Sequence, residues 1–503
     1  MLRQLIDKIK SNNFERIIVE LVIFTLLFNI NTILSIIMLM VIVVEIIMSK
    51  SNENLLFIYL FLSFFDEILK IDIIGGSVSR IVMVFTILKL LFYIFKNKIL
   101  PNKYQISIII FFLISFFTGI LTGEFSMEVI TILFNIAILV CFSMVLKFNK
   151  IEEINEFIEK LCFTIVWATL NSILYGVING NYLKEILEDK VIYRFNGTYE
   201  PNFMCMYINL GILALLTIKD KFFNKYFYYA SIAIMITAAI ATVSVTGIGT
   251  LGIIIILYLF FNRKNFKEEL KDFAIIIVLT AILLTGIFIA INLCSSIEHM
   301  NDTEINNSQM NDIEINNSQI NEENRSEMTN EIREEIKDYE MIENDNKLEL
   351  NTEEIEKKEN EKNALIKRIE TMIEFINNGE FDKLTSGRIP LAKVFIQASF
   401  NRPVINILIG NDATNKKVYC SFFDKECYSH NTYVDFLYNF GVIGFAIIVS
   451  YVLYETIKNK YLGFDLSNTK YSNNIKLIRI MLLIYAIALT LYTKRMFLIF
   501  FLL

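Results

Sequence analysis

The 503-residue chain contains two histidines, four prolines and one tryptophan. Imidazole chemistry is therefore confined to His299 and His430. Cys420 and Cys427 lie close before His430, but two cysteines and one histidine do not complete a four-ligand zinc set, which argues against a zinc centre. A soluble core is excluded by composition. Phe is abundant at 43 residues, 54% of residues are hydrophobic and the mean hydropathy is +0.50, values that belong to a polytopic membrane protein. No small-residue cleavage site follows the basic stretch MLRQLIDKIKSNNFER, so it is read as a retained cytoplasmic lead rather than a signal peptide. No repeat relates the two halves of the chain, and Asp66, Glu67 and Asp435 stand near expected helix ends. Both points weigh against a transporter or flippase, a class weighed here together with a non-enzymatic membrane scaffold.

The apolar runs are long enough to cross a bilayer, which takes roughly 20 helical residues. They fall near 17–30, 32–48, 55–66, 81–95, 104–121, 127–146, 161–178, 203–218, 226–243, 247–261, 273–295, 431–456 and 477–492, with MFLIFFLL at the end as a further partial span. The expected fold is an all-α polytopic membrane protein of about 12–14 transmembrane helices, with one large extracytoplasmic loop late in the chain. Lys and Arg concentrate in 96–103, 219–225, 262–272 and 457–476, so these segments are assigned to the cytoplasm, and 179–202 and 296–429 to the opposite side.

Four regions follow: membrane helices over 1–295, an acidic insert over 296–362, an amphipathic-helical loop over 363–429, and closing helices over 430–503. The insert opens with a tandem decapeptide, NDTEINNSQM then NDIEINNSQI. Residues 321–370 carry 17 acidic and 9 basic side chains, a net of −8 against −6 for the whole chain, so the acidity belongs to the insert. Such a segment reads as a solvated, repetitive surface loop, with a lid or partner-binding arm as the other reading. Beyond it, Leu365, Ile369, Met372, Ile373 and Ile376 recur at helical spacing, and a second amphipathic stretch covers 389–400.

The stretch Ser429-His430-Asn431-Thr432-Tyr433 puts a titratable imidazole where a polar loop enters an apolar helix, with Asn431 and Thr432 as candidate N-caps. Tyr433, Leu437, Gly441 and Gly444 then follow at steps of four, four and three. A helix start beside an imidazole can hold an anion and move a proton; the alternative is a surface histidine next to a well-capped helix. Arg388 follows a turn at Ser386-Gly387 and serves either as an interfacial anchor or as an anion contact. Arg194 precedes the Pro201-Asn202 helix start, either in a structural ion pair or facing an anionic substrate.

These residues resemble a known family. SHNTYVDFLYNFGVIGF over 429–445 is similar to the signature of the O-antigen ligase and polymerase superfamily, a His-Asn-x-Tyr element before a helix bearing two glycines. SGR at 386–388 with the Pro403-to-Gly410 segment, and RFNGTYEPN at 194–202, resemble its earlier elements, and the order of helices and late loop agrees. One departure stands out. Where the family usually shows a Ser-x-Arg turn between two helices, this chain reads SVTGIGTLG over 244–252, so any cation there must come from Arg194 or Arg388 or be dispensable.

The resemblance implies a polyprenyl-diphosphate-glycan-dependent glycosyltransferase of the bacterial cytoplasmic membrane, active on the extracytoplasmic face. Its donor would be an undecaprenyl-diphosphate-linked oligosaccharide and its acceptor a glycan or lipid. It calls for a lipid bilayer, no metal, no cofactor and no nucleic acid, and the absence of an Asp-x-Asp motif near the outer loops agrees with that. It assigns His430, Arg388 and Arg194 to catalysis, with the arginines on the diphosphate and the histidine as general base or acceptor-orienting group. Asn431, Tyr433 and Asn202 are assigned to substrate binding, and Gly441 and Gly444 to helix packing. Polymerase and ligase are not separated by these residues. Cys420 and Cys427 either pair in an oxidising compartment or remain free.

Overall fold

The computed structural model describes residues 13–28, 32–71, 76–102, 105–106, 109–110, 113, 127–187, 190–222, 224–286, 378–379, 387–410, 417–458, 460–461, 464–467 and 469–489. The acidic insert over 296–362 with His299, the amphipathic run at 365–376, most of the span expected near 104–121, and MFLIFFLL lie outside these residues.

The fold is that of an all-α membrane protein. Its helices are α1 (Asn13–Leu27), α2 (Thr32–Met48), α3 (Asn52–Ser63), α4 (Val78–Lys96), α5 (Met127–Val145), α6 (Ile151–Ile178), α7 (Pro201–Thr217), α8 (Lys225–Ala241) and α9 (Val245–Phe261). Later in the chain come α10 (Arg388–Phe400), α11 (Val404–Ile409), α12 (Thr432–Lys458) and α13 (Ser472–Ala488), and between α3 and α4 the short strands β1 (Lys70–Ile71) and β2 (Gly76–Ser77) pair antiparallel. Among the described residues, three helical stretches are long and apolar enough to cross a membrane: α4, α6 and Thr432–Ser450 of α12. Ile33–Met48, α7, α8 and α9 are shorter apolar helices. On α2 the side chains of Ile33, Ile37, Met40, Val41 and Val44 point outward, an apolar face that suits lipid rather than water.

The chain divides into two units. The first, Met1–Leu183, Arg194–Ile276 and Met372–Leu503, holds every candidate site residue named above. The second is Lys184–Tyr193 with Ile277–Thr371; its described residues lie in two paired strands, β3 (Tyr182–Leu187) and β4 (Lys190–Phe195), and in a helical run over 277–286.

Within the first unit α7 is the central helix, buried along its whole length apart from Asn202 and packed against α6, α8, α9 and α13. Its sequence permits this because small residues lie where neighbours come closest. A Cβ on Gly211 would stand 2.6 Å from Thr169 Oγ1 of α6, and a Cβ on Gly247 of α9 would stand 2.2 Å from Cys205 Sγ of α7. Polar side chains then join the helices, as they do where backbone approach is close and water is absent. Asn209 Nδ2 donates to the Gly247 carbonyl at 2.9 Å and to Tyr485 Oη of α13 at 2.6 Å. Further along the bundle, Asn171 of α6 donates to Thr25 of α1, and Tyr59 of α3 donates to Asn135 of α5 at 3.2 Å.

α12 does not run as one regular helix. Gly441 takes φ 65° and ψ −175°, so the four-four-three spacing expected from Tyr433 to Gly444 does not continue as a single face. The break is built by contact. A Cβ on Gly441 would lie 2.4 Å from Gly410 N, and one on Gly410 (φ 82°) would lie 2.0 Å from the Asn439 carbonyl oxygen, so two backbones touch where only glycine fits. Arg402 completes the joint: Nη1 donates to the Tyr438 carbonyl at 2.9 Å, and the guanidinium lies 3.5 Å over the Tyr438 ring.

Candidate functional site

The helix entered from His430 is capped as its sequence dictates. Asn431 Oδ1 accepts from the backbone N–H groups of Tyr433 at 3.0 Å and Val434 at 3.1 Å, two of the donors a helix start leaves unmet. Thr432 is turned elsewhere, its hydroxyl donating to the Leu489 carbonyl at the end of α13. Tyr433 Oη likewise donates to the Leu483 carbonyl at 3.1 Å, so this tyrosine ties α12 to α13. Ser429 is fully buried; its hydroxyl donates to Asp435 and accepts from Asn431 N–H at 3.1 Å. Gripped on both sides, His430 adopts φ 51°, a left-handed conformation that costs a non-glycine residue about 1–2 kcal/mol. Strain of this kind persists where the surroundings impose it, and it marks places worth testing for function.

On the other side of the site, the turn between α8 and α9 gathers side chains from distant segments. Ser244 is the N-cap of α9, its hydroxyl accepting from Gly247 N–H at 3.2 Å and donating to Asn202 Oδ1 at 2.9 Å. Arg194, 4% exposed, donates from Nε to the Thr242 carbonyl at 2.9 Å and from Nη2 to Asn202 Oδ1 at 3.1 Å. Arg388 donates from Nη1 to Thr246 Oγ1 at 2.9 Å. Val243, within the same turn, is a second non-glycine residue held at φ 50°.

The electrostatics connect the two sides. Burial is the main influence on His430 and pulls its imidazole below the usual histidine range; Glu200 opposes the shift and Arg388 adds to it. The ring is nevertheless solvent-exposed, so neighbouring atoms crowd it without closing it off. Arg388 is half-buried and feels the same surroundings: burial lowers it, Glu200 raises it and Arg194 lowers it, while the guanidinium stays cationic. Glu200 itself is exposed and accepts from Asn202 Nδ2 at 2.9 Å.

Arg388 reaches this position through the turn before it. Gly387 takes φ 74°, and a Cβ there would lie 2.2 Å from Phe423 Cζ, at the tip of a hairpin formed by β5 (Val418–Cys420) and β6 (Lys425–Cys427). In that hairpin Cys420 pairs with Lys425 and Cys427 with Val418, so the two cysteines are diagonal rather than opposite, and both are free.

Arg194, Asn202 and Arg388 thus gather around one turn, with His430 within electrostatic reach of Arg388, whereas Tyr433 is directed into the helix packing and Asn431 into the cap. Glu200, Thr242, Ser244 and Thr246 belong to the same cluster and are absent from the residues that the sequence singled out. Ser244 could have been found, since a serine before an apolar run is an N-cap signal; Thr242 and Thr246 act through contacts 48 and 142 positions away, and Glu200 through a contact to Asn202 that no local rule announces. Chemically the arrangement offers one half-buried guanidinium, a second buried one, an imidazole poised neutral and a carboxylate. Comparison with protein-family models, curated proteins and solved structures finds no match to this chain.

Proposed function

We propose that the protein is a membrane glycosyltransferase that moves a glycan from an undecaprenyl-diphosphate-linked donor to an acceptor hydroxyl, in the manner of the O-antigen ligases and polymerases it resembles. One observation carries the reading. Arg194 and Arg388, two of the residues singled out by that resemblance, meet at the turn where this chain lacks the family's own arginine: Arg194 on Thr242 and Asn202, and Arg388 on Thr246 across 142 positions of sequence, with the Arg388 charge acting on His430.

The chemistry needs these groups. The acceptor oxygen forms a bond to the anomeric carbon while the bond from that carbon to the diphosphate oxygen breaks, its electron pair leaving on the diphosphate. Arg388, half-buried, neutralises that departing charge; guanidinium does so through paired charge-assisted hydrogen bonds. Arg194 lies deeper, hydrogen-bonded to Thr242 and Asn202, and supports the same charge from behind. His430, held below the usual histidine range, is neutral near pH 7 and takes the acceptor's proton. The membrane is bacterial and cytoplasmic, the site faces outward, and a lipid-linked donor enters from the bilayer.

Surface polysaccharide from cells carrying His430→Ala, compared with wild type at matched membrane expression, tests the reading. Loss of long-chain or attached glycan with build-up of lipid-linked precursor is expected. A ladder collapsed to single repeats would identify a polymerase, and long glycan made but unattached a ligase. Unchanged glycan would take His430 out of the chemistry and return the weight to a transporter or scaffold.

A further inference from the structure

Between Arg388 and Gly410 the chain forms a helix, a turn and a short helix, and both helices pack against the first half of α12. Phe395 of α10 meets Tyr438 of α12 with ring centroids 5.2 Å apart and shares a cluster with Val434. At the end of α11, Leu408 and Gly410 approach Gly441 so closely that a Cβ there would lie 2.6 Å from the Leu408 carbonyl and 2.4 Å from Gly410 N. With α13 packed against the same helix, Val434, Phe436, Tyr438 and Phe440 are all buried.

The depth of this contact follows from the helix that carries it. Thr432–Ser450 is the part of α12 long and apolar enough to cross a bilayer, and Gly441 stands at its middle. The rise from Thr432 to Gly441 is about 13 Å, against roughly 30 Å of hydrocarbon. The start of α12 is level with the end of α13, since Thr432 donates to the Leu489 carbonyl and Tyr433 Oη to the Leu483 carbonyl at 3.1 Å. Arg388 marks the same rim, because it reaches Thr246 in the first turn of α9. α10 thus starts at the rim of the bundle, and α11 lies beside the bundle below it.

What the two helices turn outward is apolar. α10 exposes Ile389, Ile396 and Phe400 at steps of seven and four, and α11 exposes Leu408, Ile405 (60%) and Val404 (73%), a face that water does not favour. Directly after the Gly441 contact, Val442 and Ile443 are exposed on the crossing helix itself, so the outward surface of α11 continues onto that of α12. The charges agree with this setting. No Asp or Glu occurs over 388–410; Arg402 is held against Tyr438, and the exposed Lys393 has a stem long enough to carry its ammonium to the headgroups. The turn also meets the demand that hydrocarbon makes on a backbone. Pro403 has no N–H, Asn401 N–H donates to the Gln397 carbonyl at 3.0 Å, and the N–H groups of Asn406 and Ile407 donate to the Pro403 carbonyl at 2.8 and 3.1 Å.

We propose that α10 and α11 form a helical hairpin set into the leaflet on the His430 side, with phospholipid acyl chains as the partner of its apolar face. The hairpin does not cross the bilayer, and Val418, beyond it, packs back on the cluster of Phe395, Val434 and Tyr438. The proposal stands apart from the glycosyl-transfer reading. Where that reading holds, the hairpin sets Arg388 at the level of the headgroups, where a diphosphate carried on a lipid arrives.

Tryptophan fluorescence of the full-length protein in phospholipid nanodiscs tests it. A Trp167→Phe background removes the one tryptophan of the chain; Val404→Trp and Ile396→Trp then each place a single probe on the hairpin, and Tyr419→Trp, at an exposed site between Gly410 and His430, serves as the reference. Phospholipids brominated on their acyl chains should quench the probes at 404 and 396 and leave the one at 419 bright, whereas aqueous iodide should do the reverse. Iodide quenching at 404 and 396 without an effect of brominated lipid would put the hairpin in water and overturn the proposal. Probes shielded from both quenchers would mean that protein, such as a second copy of the chain, covers the face, which overturns it equally. Both substituted positions are exposed, and if one variant does not fold the other decides. The readout needs no substrate, so it holds whether or not the protein transfers glycan.

Discussion

Asn431 and His430 are adjacent, and what each does depends on the other. Asn431 satisfies two backbone donors at the start of α12, and the same cap fixes where the chain must turn to present the imidazole. Asn431→Ala should therefore cost about 1 kcal/mol, read as a lowered unfolding midpoint in detergent, while Asn431→Asp, which keeps the acceptor, should stay close to wild type. His430 carries its own prediction. Burial lowers its pKa, so the neutral base persists below the pH at which an ordinary histidine charges. Activity that needs the neutral form is complete above the depressed pKa and is lost as pH falls through it. The acid limb of the rate profile should accordingly lie below ~6.5, the ordinary histidine value, and disappear in His430→Ala.

Between elements, the contact of Gly410 with Gly441 decides the geometry. It places α11 against the break in α12, and Arg402 caps the Tyr438 carbonyl beside that break. Gly441→Ala should be destabilising on two counts: about 1–2 kcal/mol for a left-handed alanine and roughly 1–3 kcal/mol for a Cβ pressed against Gly410 and Leu408. Gly249 in α9 offers the contrast, because a Cβ there meets nothing within 4 Å; Gly249→Ala should be neutral or stabilising by up to about 1 kcal/mol. Thermal unfolding of the two variants side by side checks both.

This level also shows why some features were legible in the sequence and others were not. Apolar runs announce helices, so the expected 32–48 span matches α2, and Asn431 signals its cap through a local rule. The break at Gly441 leaves no such trace: the residues on either side keep helical spacing, and the cause lies 31 positions away at Gly410. The α8–α9 turn is similar. SVTG itself carries no cation, and the expectation that Arg194 or Arg388 supplies one comes from the family resemblance rather than a local rule, since the two contacts span 48 and 142 positions of sequence.

For the whole molecule the decisive quantity is sidedness. The segments richest in Lys and Arg, 96–103, 219–225, 262–272 and 457–476, should remain in the cytoplasm, which places His430, Arg388 and the hairpin of β5 and β6 on the opposite face. The cysteines allow a direct reading. Cys141, Cys162 and Cys205 are buried within helices, whereas Cys427 is half-buried on the hairpin three residues before His430. In a Cys294→Ser background, a membrane-impermeant maleimide added to spheroplasts should label Cys427 and leave the three helix cysteines untouched. Labelling of Cys427 only after the membrane is opened would put the imidazole on the cytoplasmic side. A polyprenyl-linked donor displayed on the outer leaflet could not then reach Arg388, and the transfer reading would fail on topology, whatever the geometry of the site.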